Sequence, residues 1–172
     1  GTFSIELFGA ILLAIYFCPK YGLGKGIWFS IFHSISAFCN AGFDLMGTAE
    51  PFSSLTAQVG NWYVNLIIMS LIVVGGLGFF VWRDILNTRL HFTKMQLHTK
   101  LVLTVTAFLI ISGSVLLFLF EHGTASFEGL TLSEQIAASS FQSVSARTAG
   151  FNTIDLAALT ESGRFLIIIL MF

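Results

Sequence analysis

Charge is what this sequence has least of. Eight Lys and Arg and nine Asp and Glu make up 10% of its 172 residues, where a soluble domain carries about 25%. So sparse a complement cannot cover a solvated globular surface, and the chain reads as a membrane protein. An excess of positive charge is missing too: the net charge of -1 gives no footprint for nucleic acid, and none is expected as a partner. The two cysteines, Cys18 and Cys39, match no metal or redox spacing and read as free apolar thiols. The opening apolar stretch has neither a basic leader nor a small-residue cleavage site, so no signal peptide is visible. What is abundant fits lipid: 55% of residues are hydrophobic, with nineteen Phe and sixteen Gly and a mean hydropathy of +0.87. Phenylalanine suits lipid contact, and glycine suits close helix approach. Hydrophobic runs stand at both ends, at residues 1–3 and 167–172, so a piece of a longer protein is expected.

An internal repeat organises the rest. The stretch Phe32-His33-Ser34-Ile35-Ser36-Ala37-Phe38-Cys39-Asn40-Ala41-Gly42-Phe43 returns as Phe141-Gln142-Ser143-Val144-Ser145-Ala146-Arg147-Thr148-Ala149-Gly150-Phe151. Each copy reads F-x-S-x-S-A, then one or two variable positions, then [NT]-A-G-F. The first copy carries one extra residue at the junction. Each is an apolar segment too short for a bilayer, ending in a small-residue loop with a glycine, which suggests a re-entrant pore loop.

Taken in order, residues 3–17 are a spanning helix trimmed at its start, and Cys18-Pro19-Lys20 is expected to end it, since proline cannot continue the helical hydrogen bonding. Residues 20–26 form a polar, glycine-rich connector. Residues 27–38 make a half-helix of about 18 Å, and residues 44–56 are a polar return. Residues 61–82 are long enough to cross fully, with Trp62, Tyr63 and Trp82 at the two interfaces. Inside that span, Gly75-Gly76-Leu77-Gly78 permits either close packing on a neighbouring backbone or a hinge. Residues 83–100 hold four of the eight basic residues and a single acid, Asp84, and by the positive-inside rule are cytoplasmic. A second span covers 101–120, an acidic outer stretch 121–135, a second half-helix and loop 136–152, and a further span from 162. The expected organisation is one helix–pore-loop–helix unit over 1–82, a basic segment over 83–100 and a second unit over 101–172. That is an all-α membrane protein with both loops on the outer side.

Backbone carbonyls can replace the hydration shell of a cation, and glycine supplies the backbone angles that aim them at one axis. A half-helix entering from outside points the negative end of its dipole at such a loop. Helix C-caps in a glycine-rich membrane protein are the alternative for a single copy; two copies after under-length helices favour a filter. Arg147 either points away from the axis, paired with a carboxylate or with carbonyls, or snorkels to the outer interface. Asp44 and Asp155 either concentrate cations at an outer mouth or are solvated loop acids. His33 reads as a core or interface histidine rather than a ligand, and Glu6 either pairs with a distant residue or lies at the interface. An Asn-Pro-Ala motif for a water channel is missing, and the spans hold no nucleophile–base pair, aspartate dyad or HExxH for an intramembrane enzyme.

The two loop motifs, F-H-S-I-S-A-F-C-N-A-G-F-D and F-Q-S-V-S-A-R-T-A-G-F-N-T, resemble consecutive pore loops of the Ktr/Trk/HKT superfamily of cation transporters. The likeness runs over nearly the whole chain and is greatest to the membrane subunit of bacterial Ktr potassium uptake systems. It implies four such units around one pore, of which this chain holds the second and third. It implies a filter of backbone carbonyls, here from Asn40, Ala41, Gly42 and Phe43 and from Thr148, Ala149, Gly150 and Phe151, with Arg147 as possible support. It also implies potassium as the transported ion, with sodium or mixed conduction as the alternative within the superfamily, and no organic or covalent cofactor in this chain. The expected setting is a multi-pass protein of the bacterial inner membrane, a homodimer in contact with lipid and with a cytosolic ring of nucleotide-binding regulatory subunits. Residues 83–100 either touch that ring or anchor to lipid headgroups. The family's gating loop would begin just beyond Phe172.

Overall fold

The computed structural model describes residues 1–46, 55–88 and 91–171. Among the described residues the chain forms seven α-helices joined by turns and short 3-10 segments: α1 Thr2–Tyr21, α2 Leu23–Phe38, α3 Trp62–Gly76, α4 Phe79–Thr88, α5 Leu97–Glu121, α6 Leu132–Thr148 and α7 Glu161–Met171.

Two of these, α1 and α5, are long and apolar enough to cross a membrane. Their surfaces are the reverse of a soluble helix. On α1 the row Phe3, Leu7, Ile11 and Ile15, spaced one turn apart, is exposed. On α5 the inward residues include Thr99, Thr106, Gly113 and Glu121, while Leu101, Phe108, Val115 and Leu119 face outward. Outward faces this apolar are what lipid as the solvent dictates.

Several boundaries differ from those expected. Helix α1 runs through Pro19 to Tyr21, giving up the one hydrogen bond that an N–H at position 19 would make to Ile15 O, and Gly22 N closes the end by donating to Cys18 O at 3.0 Å. The expected connector over 20–26 shrinks to Gly22, whose φ of 85° reverses the chain straight into α2. Helix α6 begins at Leu132 rather than 136 because Thr131 forms a capping box. Its hydroxyl accepts from Glu134 N at 3.4 Å, and Glu134 Oε2 accepts from Thr131 N at 2.8 Å. The half-helices have 16 and 17 residues, still short of the ~20 that a crossing requires.

The segment 61–82, expected as one straight span, is not one. Helix α3 stops at Gly76, and α4 leaves at 97° to it after a two-residue break. Gly78 has φ 82°, and Trp82 fastens the bend: its Nε1 donates to Val74 O at 2.9 Å and its backbone N to Gly78 O at 3.3 Å. The glycine run serves both readings, because Gly75 also abuts the Phe38 carbonyl at the end of α2. The basic stretch 83–100 is likewise largely structured, as the end of α4, a 3-10 turn at Phe92–Lys94 and the first turn of α5. Asp84 fixes that corner by accepting from Gln96 N at 2.9 Å. Most of the polar return 44–56, and Phe172, lie outside the described residues.

The two halves share one core. Leu13 and Phe17 of α1 and Val64 and Ile68 of α3 cluster with Phe141 and Phe151 from the second half. A smaller cluster centred on Leu117, Ala138, Leu166 and Leu170 packs α5, α6 and α7 together.

Candidate functional site

The repeated motif becomes a repeated geometry. In each copy the first serine reaches the preceding long helix: Ser34 Oγ donates to Glu6 O at 2.6 Å, and Ser143 Oγ to Ile110 O at 3.0 Å. Three residues past each acceptor stands a glycine, Gly9 or Gly113, where any Cβ would crowd that serine hydroxyl. The absent side chain is what brings the helices close enough for the bond. The second serine, two residues on, faces the opposite way, since two helical steps turn about 200°. Its hydroxyl closes the loop that follows: Ser36 Oγ donates to Phe43 O at 2.7 Å, and Ser145 Oγ to Phe151 O at 2.6 Å.

Between serine and phenylalanine the loops differ by the one extra residue, and the helix end absorbs it. In the first copy Asn40 takes φ 51°, Asn40 N donates to Ala37 O at 3.2 Å and Ala41 N to Ser36 O at 2.9 Å, a Schellman ending with Asn40 as the left-handed cap. With its amide nitrogen facing inward, Asn40 donates to Ile72 O at 3.2 Å and Ala37 O at 3.3 Å, so the side chain ties α2 to α3. In the second copy Ala149 N and Gly150 N both donate to Ser145 O, at 2.9 and 3.2 Å. The glycines converge again: φ is 70° at Gly42 and 82° at Gly150, the left-handed region that side chains resist.

The structure brings the two loops into contact. A Cβ on Gly42 would strike the Ala149 carbonyl, and one on Gly150 would lie 3.9 Å from Gly42 Cα. Leu55 N donates to Asn152 O at 2.9 Å, joining the return of the first loop to the exit of the second. Among the described residues no hydrogen bond is made to the carbonyls of Ala41, Gly42, Ala149 or Gly150. Ala149 and Phe151 are buried, whereas Phe43 is 70% exposed. The Thr148 side chain lies outside the described residues.

The other candidates fall mostly into supporting places. Arg147 points away from its loop toward α5, where Nη2 donates to Thr106 Oγ1 at 3.2 Å, a hydroxyl rather than the expected carboxylate or carbonyl. It lines a cavity of about 30 Å³ with Ile72, Gly76, Leu77, Thr106 and Val144, between α5, α6 and the α3–α4 bend. His33 is fully buried; Nδ1 lies 2.7 Å from Phe29 O, and Leu45 N donates to Nε2 at 3.4 Å, which makes Nδ1 the protonated nitrogen and ties α2 to the segment after its loop. Asp44 and Asp155 each close a turn, accepting from Met46 N at 3.0 Å and Ala157 N at 2.9 Å. Glu6 meets Cys39 through Oε1, 4.0 Å from Sγ. Both cysteines are free. Glu121, overlooked in the sequence, is a fully buried carboxylate that accepts from Thr124, Ser126 and Thr160 and fixes α7 to the end of α5. Only its place at the end of an uncharged span signalled it.

Long apolar helices, each hairpinned to a half-length helix that delivers a glycine loop to a shared point, define an all-helical membrane protein. The chain belongs to the TrkH family, described as cation transport proteins, whose profile matches residues 1–172. It is 44% identical over 168 residues to the potassium/sodium uptake protein NtpJ of Enterococcus hirae, covering 98% of this chain and 36% of that protein. It is 40% identical over 172 residues to Ktr system potassium uptake protein B of Bacillus subtilis, with 99% and 37% covered. To the protein of that name from Vibrio alginolyticus it is 38% identical over 174 residues, again with 99% and 37% covered. The chain thus spans little more than a third of the length of these relatives.

Proposed function

We propose that the two loops form part of a potassium-selective filter in a channel-like uptake protein of the plasma membrane. The observation that carries this reading is the pair of left-handed glycines, Gly42 at φ 70° and Gly150 at φ 82°. Each follows the C-terminus of a half-length helix, and the two meet backbone to backbone. Carbonyls beside such glycines can replace a cation's hydration shell, and the helix C-termini add a negative field. Ala41, Gly42, Ala149 and Gly150 supply the carbonyls for the ion; Asn40 and Arg147 hold the loops from behind, and Thr148 contributes its backbone. Half a filter conducts nothing, so transport belongs to the longer protein, with two further units completing the ring. The basic segment 83–100 faces the cytosol; the naming of two relatives as parts of a Ktr system supports contact with further subunits, which we read as a nucleotide-binding regulatory ring beneath a homodimer.

Sodium is the second reading, favoured by the relative NtpJ, a potassium/sodium uptake protein. Substituting Gly150→Ser in the full-length protein separates filter from scaffold. A side chain at φ 82° costs about 1–2 kcal/mol where it stands, so the loop relaxes. The ratio of potassium to sodium uptake is then expected to fall by roughly tenfold. An unchanged ratio would remove the second loop from the filter, and a wild-type ratio near one would establish mixed conduction.

A further inference from the structure

We infer that Ser36 and Ser145 are positioning residues for ion selection. Each holds the carbonyl of the phenylalanine after the glycine against its own half-helix, leaving the ion to the carbonyls of Ala41 and Gly42 and of Ala149 and Gly150. This rests on the filter reading above and sharpens it, because Phe43 and Phe151 then serve as the loop's anchor rather than as ion ligands.

Three observations carry it. A serine inside a helix ordinarily donates back to the carbonyl four residues earlier, and in this chain Ser30, Ser112, Ser114 and Ser139 do so, at 2.6–2.8 Å. Ser36 and Ser145 do not; their only proton goes forward, to Phe43 O at 2.7 Å and Phe151 O at 2.6 Å. Second, the same donor meets the same acceptor although the intervening loops differ in length, so the bond is not a by-product of register. Third, the two phenylalanine rings share no environment, one 70% exposed and the other fully buried. What the copies have in common is the carbonyl and not the ring. Both serines are buried residues, 4% and 1% exposed. The left-handed glycine just before each phenylalanine reverses the backbone and turns the next carbonyl back to the helix.

The consequence for selection is mechanical. A filter discriminates by the number and field of its carbonyls. Freeing the phenylalanine carbonyl adds a ligand of undefined position and loosens the two in front of it.

The test measures the ratio of potassium to sodium uptake in the full-length protein, a quantity independent of how much protein reaches the membrane. Ser36→Ala and Ser145→Ala are each expected to lower it by roughly three- to tenfold, the equivalent of one buried hydrogen bond. Ser36→Thr and Ser145→Thr keep the hydroxyl and restore the ratio. Ser34→Ala and Ser143→Ala, which lose a bond to a spanning helix instead, weaken the protein's thermal stability in detergent and leave the ratio alone. If the alanine variants at 36 and 145 keep the wild-type ratio while Gly150→Ser lowers it, the positioning role is wrong and the filter stands. If Gly150→Ser also leaves the ratio unchanged, the filter reading itself fails. A ratio lowered equally by alanine at 34, 36, 143 and 145 would reduce the effect to general loosening of the half-helices and overturn the inference.

Discussion

Glycine, where its hydrogen stands in for a side chain, sets the finest tolerances in this protein. Gly75 is the sharpest case, since a Cβ there would land on the carbonyl oxygen of Phe38, backbone against backbone. Neither side can move by a rotamer change, so Gly75→Ala forces α3 away from the end of α2. The expected loss is about 1–3 kcal/mol, as for other overpacked sites, read as a lower unfolding temperature of the full-length protein in detergent. Gly24→Ala on the same half-helix meets nothing within 4 Å and should hold or raise that temperature. Equal effects at both positions would mean that the contact between α2 and α3 is not rigid. The sequence made the importance of Gly42 and Gly150 readable because each recurs at one place in a repeat. The serines recur just as faithfully, and a spacing of two on a helix already requires them to face opposite sides. What each faces is settled only by packing, so the sequence alone does not distinguish Ser36 and Ser145 from Ser34 and Ser143. Arg147 shows the same limit, since its type forecast a partner while the choice of Thr106 depended on where α5 lies.

At the scale of the element, length and hydropathy were good guides to crossing helices and poor guides to bends. Residues 61–82 carry enough apolar side chains for a full span, and no proline interrupts them, so a straight helix was the natural reading. The break comes from one left-handed residue, Gly78, together with an indole one turn later that supplies the hydrogen bond lost by Val74 O. Such a partnership leaves no periodic trace. Gly78 has free space around its missing Cβ, so Gly78→Ala tests the backbone angle alone. Alanine in the left-handed region costs about 1–2 kcal/mol, which favours the continuous helix over the 97° bend. Spin labels at Leu66 and Asn87, on either side of it, should move apart in the variant. An unaltered distance distribution would show that Trp82 and the packing of α4 hold the bend without help from glycine. The half-helices are longer than their apolar stretches alone suggest, because Gly22 turns the chain in one residue and Thr131 starts α6 early.

The whole molecule is asymmetric in a way its repeat is not. Phe151 is fully buried, packed in a core that includes residues of the first unit, while its counterpart Phe43 stands 70% exposed. Phe43 lines an apolar groove of about 240 Å³ with Trp28, Ile31, Phe32 and Ile35. Units that pack head to tail leave one face unfilled until the ring closes, and this groove lies on the first unit beside its loop. The chain spans little more than a third of its relatives' length, so there is sequence enough elsewhere in such a protein to cover it. Two environments for Phe43 then give different numbers. If another unit covers the groove, Phe43→Ala removes a buried ring and costs about 3–5 kcal/mol, the range for Phe→Ala in a core, as Phe151→Ala should. If lipid covers it, the ring leaves one apolar medium for another and the cost approaches that of Phe79→Ala, on a side chain 73% exposed on α4. We expect the thermal unfolding of full-length Phe43→Ala to fall with that of Phe151→Ala. Coincidence with Phe79→Ala instead would assign the groove to lipid, and the proposed ring of units would have to close on another face.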